Sequence, residues 1–122
     1  MAALDLSAGH GKVCDSLAGH SVSAFLGGFS GQGDSAQIQV FFWHDMTALG
    51  SPVVVGPVTP VDRNNLTELI YKEGHGFLPY NTNKVTVQLS MTRTDGTFND
   101  GYADNVSLVL TPPMIYLPLV VR

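Results

Sequence analysis

The chain has 122 residues, of which 44% are hydrophobic and only 13% charged, with a formal net charge of −4 at pH 7. That length supports a single domain with one hydrophobic core, and the shortage of charge leaves Thr, Ser, Asn, Gln and Gly to cover the outside. The acidic balance and six unclustered Lys and Arg residues exclude nucleic acid and anionic membrane surfaces, which require basic patches.

Met1 to Ser7 lacks the basic segment, apolar stretch and small-residue cleavage site of a signal peptide. Nowhere does the chain reach the ~18 consecutive apolar residues of a spanning helix. A single cysteine, Cys14, excludes an internal disulfide and reads as a small, partly buried apolar side chain. Glycine is dense from Gly9 to Gly33. Within that region His20–Leu26 alternates as a strand, with Val22, Ala24 and Leu26 on one face and Ser21, Ser23 and Phe25 on the other. Gly27-Gly28 then marks a bulge or a close backbone approach, and Gly31–Asp34 a turn.

Ser35–His44 is the clearest strand. Ala36, Ile38, Val40 and Phe42 fall on one side; Gln37, Gln39, Phe41 and Trp43 fall on the other. Two amides followed by two aromatics suit a sugar, because flat rings stack on the apolar face of a pyranose while amides bond its hydroxyls. The alternative is that Phe41 and Trp43 simply cover the sheet under a loop. Asp45–Gly50 reads as a hairpin loop returning into Ser51–Val58, where Pro52 and Pro57 confine the strand to an edge or to its ends. Thr59–Asn65 is a loop, Leu66–Tyr71 a short strand, and Lys72–Gly76 a turn. Lys84–Thr94 is again a strand, with Val85, Val87, Leu89 and Met91 facing in.

Asn99-Asp100-Gly101-Tyr102-Ala103-Asp104-Asn105 is an acidic, Asx-rich turn that feeds the strand Val106–Leu110. Val106, Leu108 and Leu110 share its inner face, and Asp104 sits where loop becomes strand. Such a cluster either bonds nearby backbone amides or holds a hard cation such as calcium through carboxylate and amide oxygens. Strands at intervals of about ten residues, separated by turn glycines and prolines, define an all-β chain folded as an antiparallel β-sandwich.

The loop motifs also carry a resemblance. Ser23–Ala36 looks like an SxxLGGxxxQxDxA signature. Gly56-Pro57-Val58, Asp62-Arg63-Asn64, Arg93-Thr94 and Asn99–Leu108 fall where the same family has the same residues. The stretch from residue 4 to 111 thus resembles exported bacterial modules similar to galactose-binding-domain-like jelly rolls, the architecture of many carbohydrate-binding modules. The resemblance implies a jelly-roll sandwich over residues 1–111 and a secreted or cell-surface location. It also implies a structural calcium at Asp104, with Asn99, Asp100 and Asn105 as weaker ligands. Such modules carry further residues before Leu4, including a first strand, so an uncovered sheet edge is expected here. Residues 112–122 form a Pro-rich spacer and an apolar tail similar to the YLPLV ends of exported proteins from filamentous green bacteria. The tail over residues 114–121 suits a strand added to an edge, within the chain or between copies.

His10, His20, His44 and His75 show no metal or catalytic spacing, and no nucleophile elbow or phosphate loop is present. Two sequons, Asn65-Leu66-Thr67 and Asn105-Val106-Ser107, are short enough to arise by chance. The reading is therefore a non-catalytic module that binds carbohydrate or a cell-surface glycan. The alternatives are a structural subunit that assembles by strand exchange and, last, a small hydrolase.

Overall fold

Alternation of apolar and polar residues decides the architecture. The computed structural model describes residues 2–5, 19–94 and 96–111, and its regular elements there are seven strands. These are β1 (Ala2–Asp5), β2 (Gly19–Gly28), β3 (Ser35–His44), β4 (Thr47–Val55), β5 (Glu68–Phe77), β6 (Lys84–Thr92) and β7 (Gly101–Thr111). They pair antiparallel in two sheets, ordered β1-β6-β3-β4 and β5-β2-β7. Between the sheets lies one core of Val22, Ala24, Leu26, Ala36, Ile38, Val40, Phe42, Val55, Val58 and Val85. The chain is a β-sandwich. The inner faces expected for β2 and β3 are the buried ones, and no helix long and apolar enough to cross a membrane occurs among the described residues.

Pro52 sits in β4, the outermost strand of its sheet, where a missing amide hydrogen does no harm. The ladder with β3 is irregular there: Val40 faces Val53 but Phe42 faces Leu49. The preceding hairpin is tighter than expected. His44 pairs with Thr47, so only Asp45 and Met46 form the turn, and Asp45 adopts φ 54°. The side chain of Asn83 closes it, donating to Asp45 Oδ1 at 3.0 Å and accepting from Asp45 N at 2.9 Å.

Three expectations need correction. Lys72–Gly76 is no turn but the second half of β5, a ten-residue strand. Its glycines share the inner face, where they make room instead of bending the chain. A Cβ on Gly74 would lie 3.2 Å from Val53 and one on Gly76 would lie 3.2 Å from the His20 ring. In β6, Val85 is buried, but Leu89 and Met91 on the same face stay 44% and 45% exposed. Only the part of this strand that lies over the core is covered. Finally, Val106 does not face inward. Ser23 pairs with Ser107 and Phe25 with Asp104, so Asn105 and Val106 together oppose Ala24. This β-bulge, with Asn105 at φ 55°, leaves Val106 45% exposed and makes Ala103, Leu108 and Leu110 the inward residues.

The edge of the larger sheet beside β6 is occupied by β1 itself, in register from Ala2 opposite Val87 to Asp5 opposite Lys84. Cys14 and the tail over residues 112–122 lie outside the described residues.

Candidate functional site

Three places on the sandwich concentrate chemistry, and the first is the outer face of the larger sheet. Gln37, Gln39, Phe41 and Trp43 project from β3 in one row, all partly exposed, as their alternation requires. Trp43 is held in place. Its Nε1 donates to Thr86 Oγ1 at 3.0 Å, and Lys84 Nζ lies 5.4 Å from the ring centroid. Phe41 sits beside it with centroids 6.4 Å apart and planes tilted by 38°. Thr86, outward by alternation between Val85 and Val87, is buried beneath this arrangement. The four residues therefore form a fixed half-exposed ledge, with apolar rings at one end and amide donors and acceptors at the other.

The second place is the end of the sandwich where β2 runs out and β3 and β7 begin. Here the sequence reading missed the governing residues. Asp34 and Arg63 are both fully buried. Asp34 draws in two segments at once: Oδ1 accepts from the amide and hydroxyl of Thr94, and Oδ2 accepts from Asp100 N at 2.9 Å. Arg63 donates from Nη2 to the carbonyls of Ser30 (2.7 Å) and Gln32 (3.3 Å). It also donates from Nη1 to Val58 O (3.4 Å) and from Nε to Leu66 O (3.0 Å). Four backbone dipoles thus satisfy the buried cation, which an unpaired guanidinium would require. The turn that delivers it is built by reciprocal bonds. Thr59 N donates to Asp62 Oδ2 at 2.9 Å and Asp62 N to Thr59 Oγ1 at 3.2 Å. Those bonds, the Thr59 amide foremost, hold the Asp62 carboxyl below its ordinary range. The close approach expected at Gly27-Gly28 is what the backbone shows. A Cβ on Gly28 would lie 2.9 Å from Asp34 O and 3.1 Å from Arg63 Cζ.

The Asx-rich segment belongs to this end. β7 starts at Gly101, so Asp104 lies within the strand, one residue before the bulge, and is exposed. Asn99 Oδ1 accepts from Gly101 N at 2.8 Å and Asp104 Oδ1 from Asn105 N at 2.9 Å. These are the local backbone bonds that Asx side chains make in turns. Among the described residues no group of three or more carboxylate, imidazole or thiol side chains converges. Asn99, Asp100, Asp104 and Asn105 are brought to one end of the sandwich, where Asn99 and Asp104 each accept from a neighbouring backbone amide.

The third place is the opposite end, over the start of β2 and the ends of β5 and β7. Gly19, His20, Ser21, His75, Gly76, Phe77 and Thr111 line a cleft of about 490 Å³. His20 and His75 come to this end on opposite faces of the sheet, because β2 and β5 pair with Ser21 opposite His75 and His20 opposite Gly76. His20 is buried, its ring centroid 4.9 Å from that of Phe42, and neither ring nitrogen has a hydrogen-bond partner. Desolvation, then the nearby His75, pushes its pKa below the ordinary 6.5, so the ring is neutral at pH 7. The alternation of Leu69, Tyr71, Glu73, His75 and Phe77 was the signal that could have revealed this face of β5.

Comparison with protein-family profiles, characterised proteins and solved structures returned no match for this chain.

Proposed function

We propose that this protein is a non-catalytic carbohydrate-binding module of the jelly-roll type, working at a cell surface or outside the cell. The observation that carries the reading is the ledge of Gln37, Gln39, Phe41 and Trp43. A pyranose stacks its C–H face on an aromatic ring while amides bond its hydroxyls, and a ring fixed beforehand loses little entropy on binding. Trp43, pinned through Nε1 to Thr86, meets that condition. A glycan array followed by calorimetry tests it. Trp43→Ala should abolish binding to any hit while the protein stays folded, and Trp43→Phe, which keeps a ring, should retain part of it. Unchanged binding in Trp43→Ala would sink the reading. The structural calcium at Asp104 that the family resemblance implies is a separate proposal. Calcium titration should raise the melting temperature and EDTA lower it; no change in either ends that idea.

A second reading, assembly by strand addition through residues 114–121, is favoured by the position of β7. It is an edge strand of its sheet and leads straight into residue 112. Deleting 112–122 should then lower the mass in solution. The same mass and melting temperature after deletion would count against it.

A further inference from the structure

The polar surface beside Trp43 does not stop at β3. Across the pairing with β6, Phe41 lies opposite Thr86, Gln39 opposite Gln88 and Gln37 opposite Ser90, so a second row runs beside the first. Directly opposed residues on one face of an antiparallel pair stand about 5 Å apart, close enough for one ligand to touch both. The other flank differs. There β4 sets Ala48 opposite Trp43 and Val54 opposite Gln39, and neither side chain can bond a hydroxyl. Among the described residues, none shares a hydrogen bond with the side chain of Gln37, Gln39, Gln88 or Ser90, although each of the four is partly buried. We propose that this double row binds one neutral, linear glycan chain lengthwise, with Gln88 and Ser90 of β6 as specificity-determining residues. This deepens the carbohydrate-binding reading and rests on it for the chemical class of the ligand.

Length, ring geometry and charge select that shape of ligand. At a strand rise of about 3.3 Å per residue, the row from Trp43 to Gln37 spans roughly 20 Å. Several sugar units fill that length and one does not. The rings of Phe41 and Trp43 lie 6.4 Å apart with their planes tilted by 38°. Two rings so tilted cannot both lie flat on one crystalline face, whereas successive sugars of a single chain can turn to meet each of them. Among the described residues that β3 and β6 present on this face, Lys84 alone is charged. It lies 5.4 Å from the Trp43 ring centroid, with Asp5 of β1 opposite it in register. A charged sugar would find no row of opposite charge to bind. Side-chain amides both donate and accept, as hydroxyls do, so the Gln37, Gln39 and Gln88 row matches an uncharged polyhydroxylated chain.

The test is titration calorimetry with soluble oligosaccharides of glucose, galactose, mannose and xylose, from the disaccharide to the hexasaccharide. Galacturonate oligomers and sedimented microcrystalline cellulose form two further arms. Affinity for at least one neutral series should climb with chain length and level off once the row is full. Gln88→Ala should weaken the hexasaccharide roughly fivefold, the loss of one hydrogen bond, and leave a disaccharide held at the rings unchanged. Ser90→Ala should act in the same sense. Because both side chains point outward, melting curves of these variants should match the wild type. Equal affinity for disaccharide and hexasaccharide, or a Gln88→Ala that weakens neither, overturns the inference; the ledge reading survives that result if Trp43→Ala still abolishes binding. Binding to the crystalline particles alone, or tighter binding of galacturonate than of any neutral chain, also overturns it. If no sugar binds in any arm, the inference and the ledge reading fall together.

Discussion

The two ends of this sandwich handle buried polarity in opposite ways. At one end Asp34 and Arg63, a full charge each, are buried among backbone amides and carbonyls that match them bond for bond. At the other end a neutral ring, His20, is buried with nothing bonded to either nitrogen. The first arrangement ties together segments far apart in sequence: the loop after β2, the β4–β5 connection, and the chain on both sides of Asp95. The second ties nothing. Polar groups under a sandwich are therefore not one category. The charged residues serve cohesion through hydrogen bonds, and the imidazole only packs, against Phe42.

Substitutions can break or sharpen this contrast. The largest effect belongs to Arg63→Leu, which leaves the carbonyls of Ser30, Gln32, Val58 and Leu66 without their donor. About 3–5 kcal/mol should be lost, a large share of the roughly 5–15 kcal/mol that holds a domain together. A denaturant midpoint that barely moves would show that water replaces the guanidinium easily. Asp34→Asn is smaller. One oxygen becomes an amide group that cannot accept from Thr94 and Asp100 together, and about 2 kcal/mol should go. At the far end the sign should turn. His20→Leu removes two unsatisfied nitrogens and should be neutral or stabilising by up to about 1 kcal/mol at pH 7. A loss comparable to that of Arg63→Leu would erase the distinction between the ends.

Acid gives the finest comparison. The folded-state pKa of His20 lies below the unfolded value of 6.5, so the unfolded chain binds a proton first as pH falls. Its contribution is therefore constant above 6.5 and declines as pH drops below that value toward the folded pKa. Melting curves from pH 8 to pH 5 should show wild type losing stability below 6.5 more steeply than His20→Leu. Parallel curves would mean that burial does not hold the ring neutral.

Much of the frame was legible in the sequence. β2 and β3 follow a strict period of two, with buried Val22, Ala24, Leu26, Ala36, Ile38, Val40 and Phe42 on one side. Gly27-Gly28 announced a close approach, although not that Arg63 was what came close. The ledge around Trp43 was readable because alternation alone assigns its face. What escaped had physical reasons. Gly74 and Gly76 mimicked a turn, yet two glycines spaced by two on a strand make room on one face for a bulky neighbour. Arg63 and Asp34 sit in loops, where charged residues are usually solvated, and nothing local reveals that four carbonyls will gather round one of them. The fit of the His20 ring over Gly76 depends on pairing between β2 and β5, far apart in sequence, which no spacing motif records. The inner assignment of Val106 failed at a bulge that leaves no mark in the hydrophobic pattern.

That bulge gives β7 two reading frames. Up to Asp104 odd-numbered residues look inward, as Ala103 does; from Ser107 onward even-numbered ones do, as Leu108 and Leu110 show. Asn105 is the punctuation between them, in a left-handed conformation that asparagine adopts more readily than most residues. Deleting that single residue would put the strand into one frame from end to end. Asp104 would still face Phe25 and Ser107 would still face Ser23, Leu108 and Leu110 would stay inward, and Val106 would turn inward opposite Ala24. A chain lacking Asn105 should therefore fold with the pairing on both sides intact and Val106 protected from solvent, whereas one lacking Val106 would turn Asn105 inward. The extra residue holds Val106 outward while the pairing on either side of it stays unbroken.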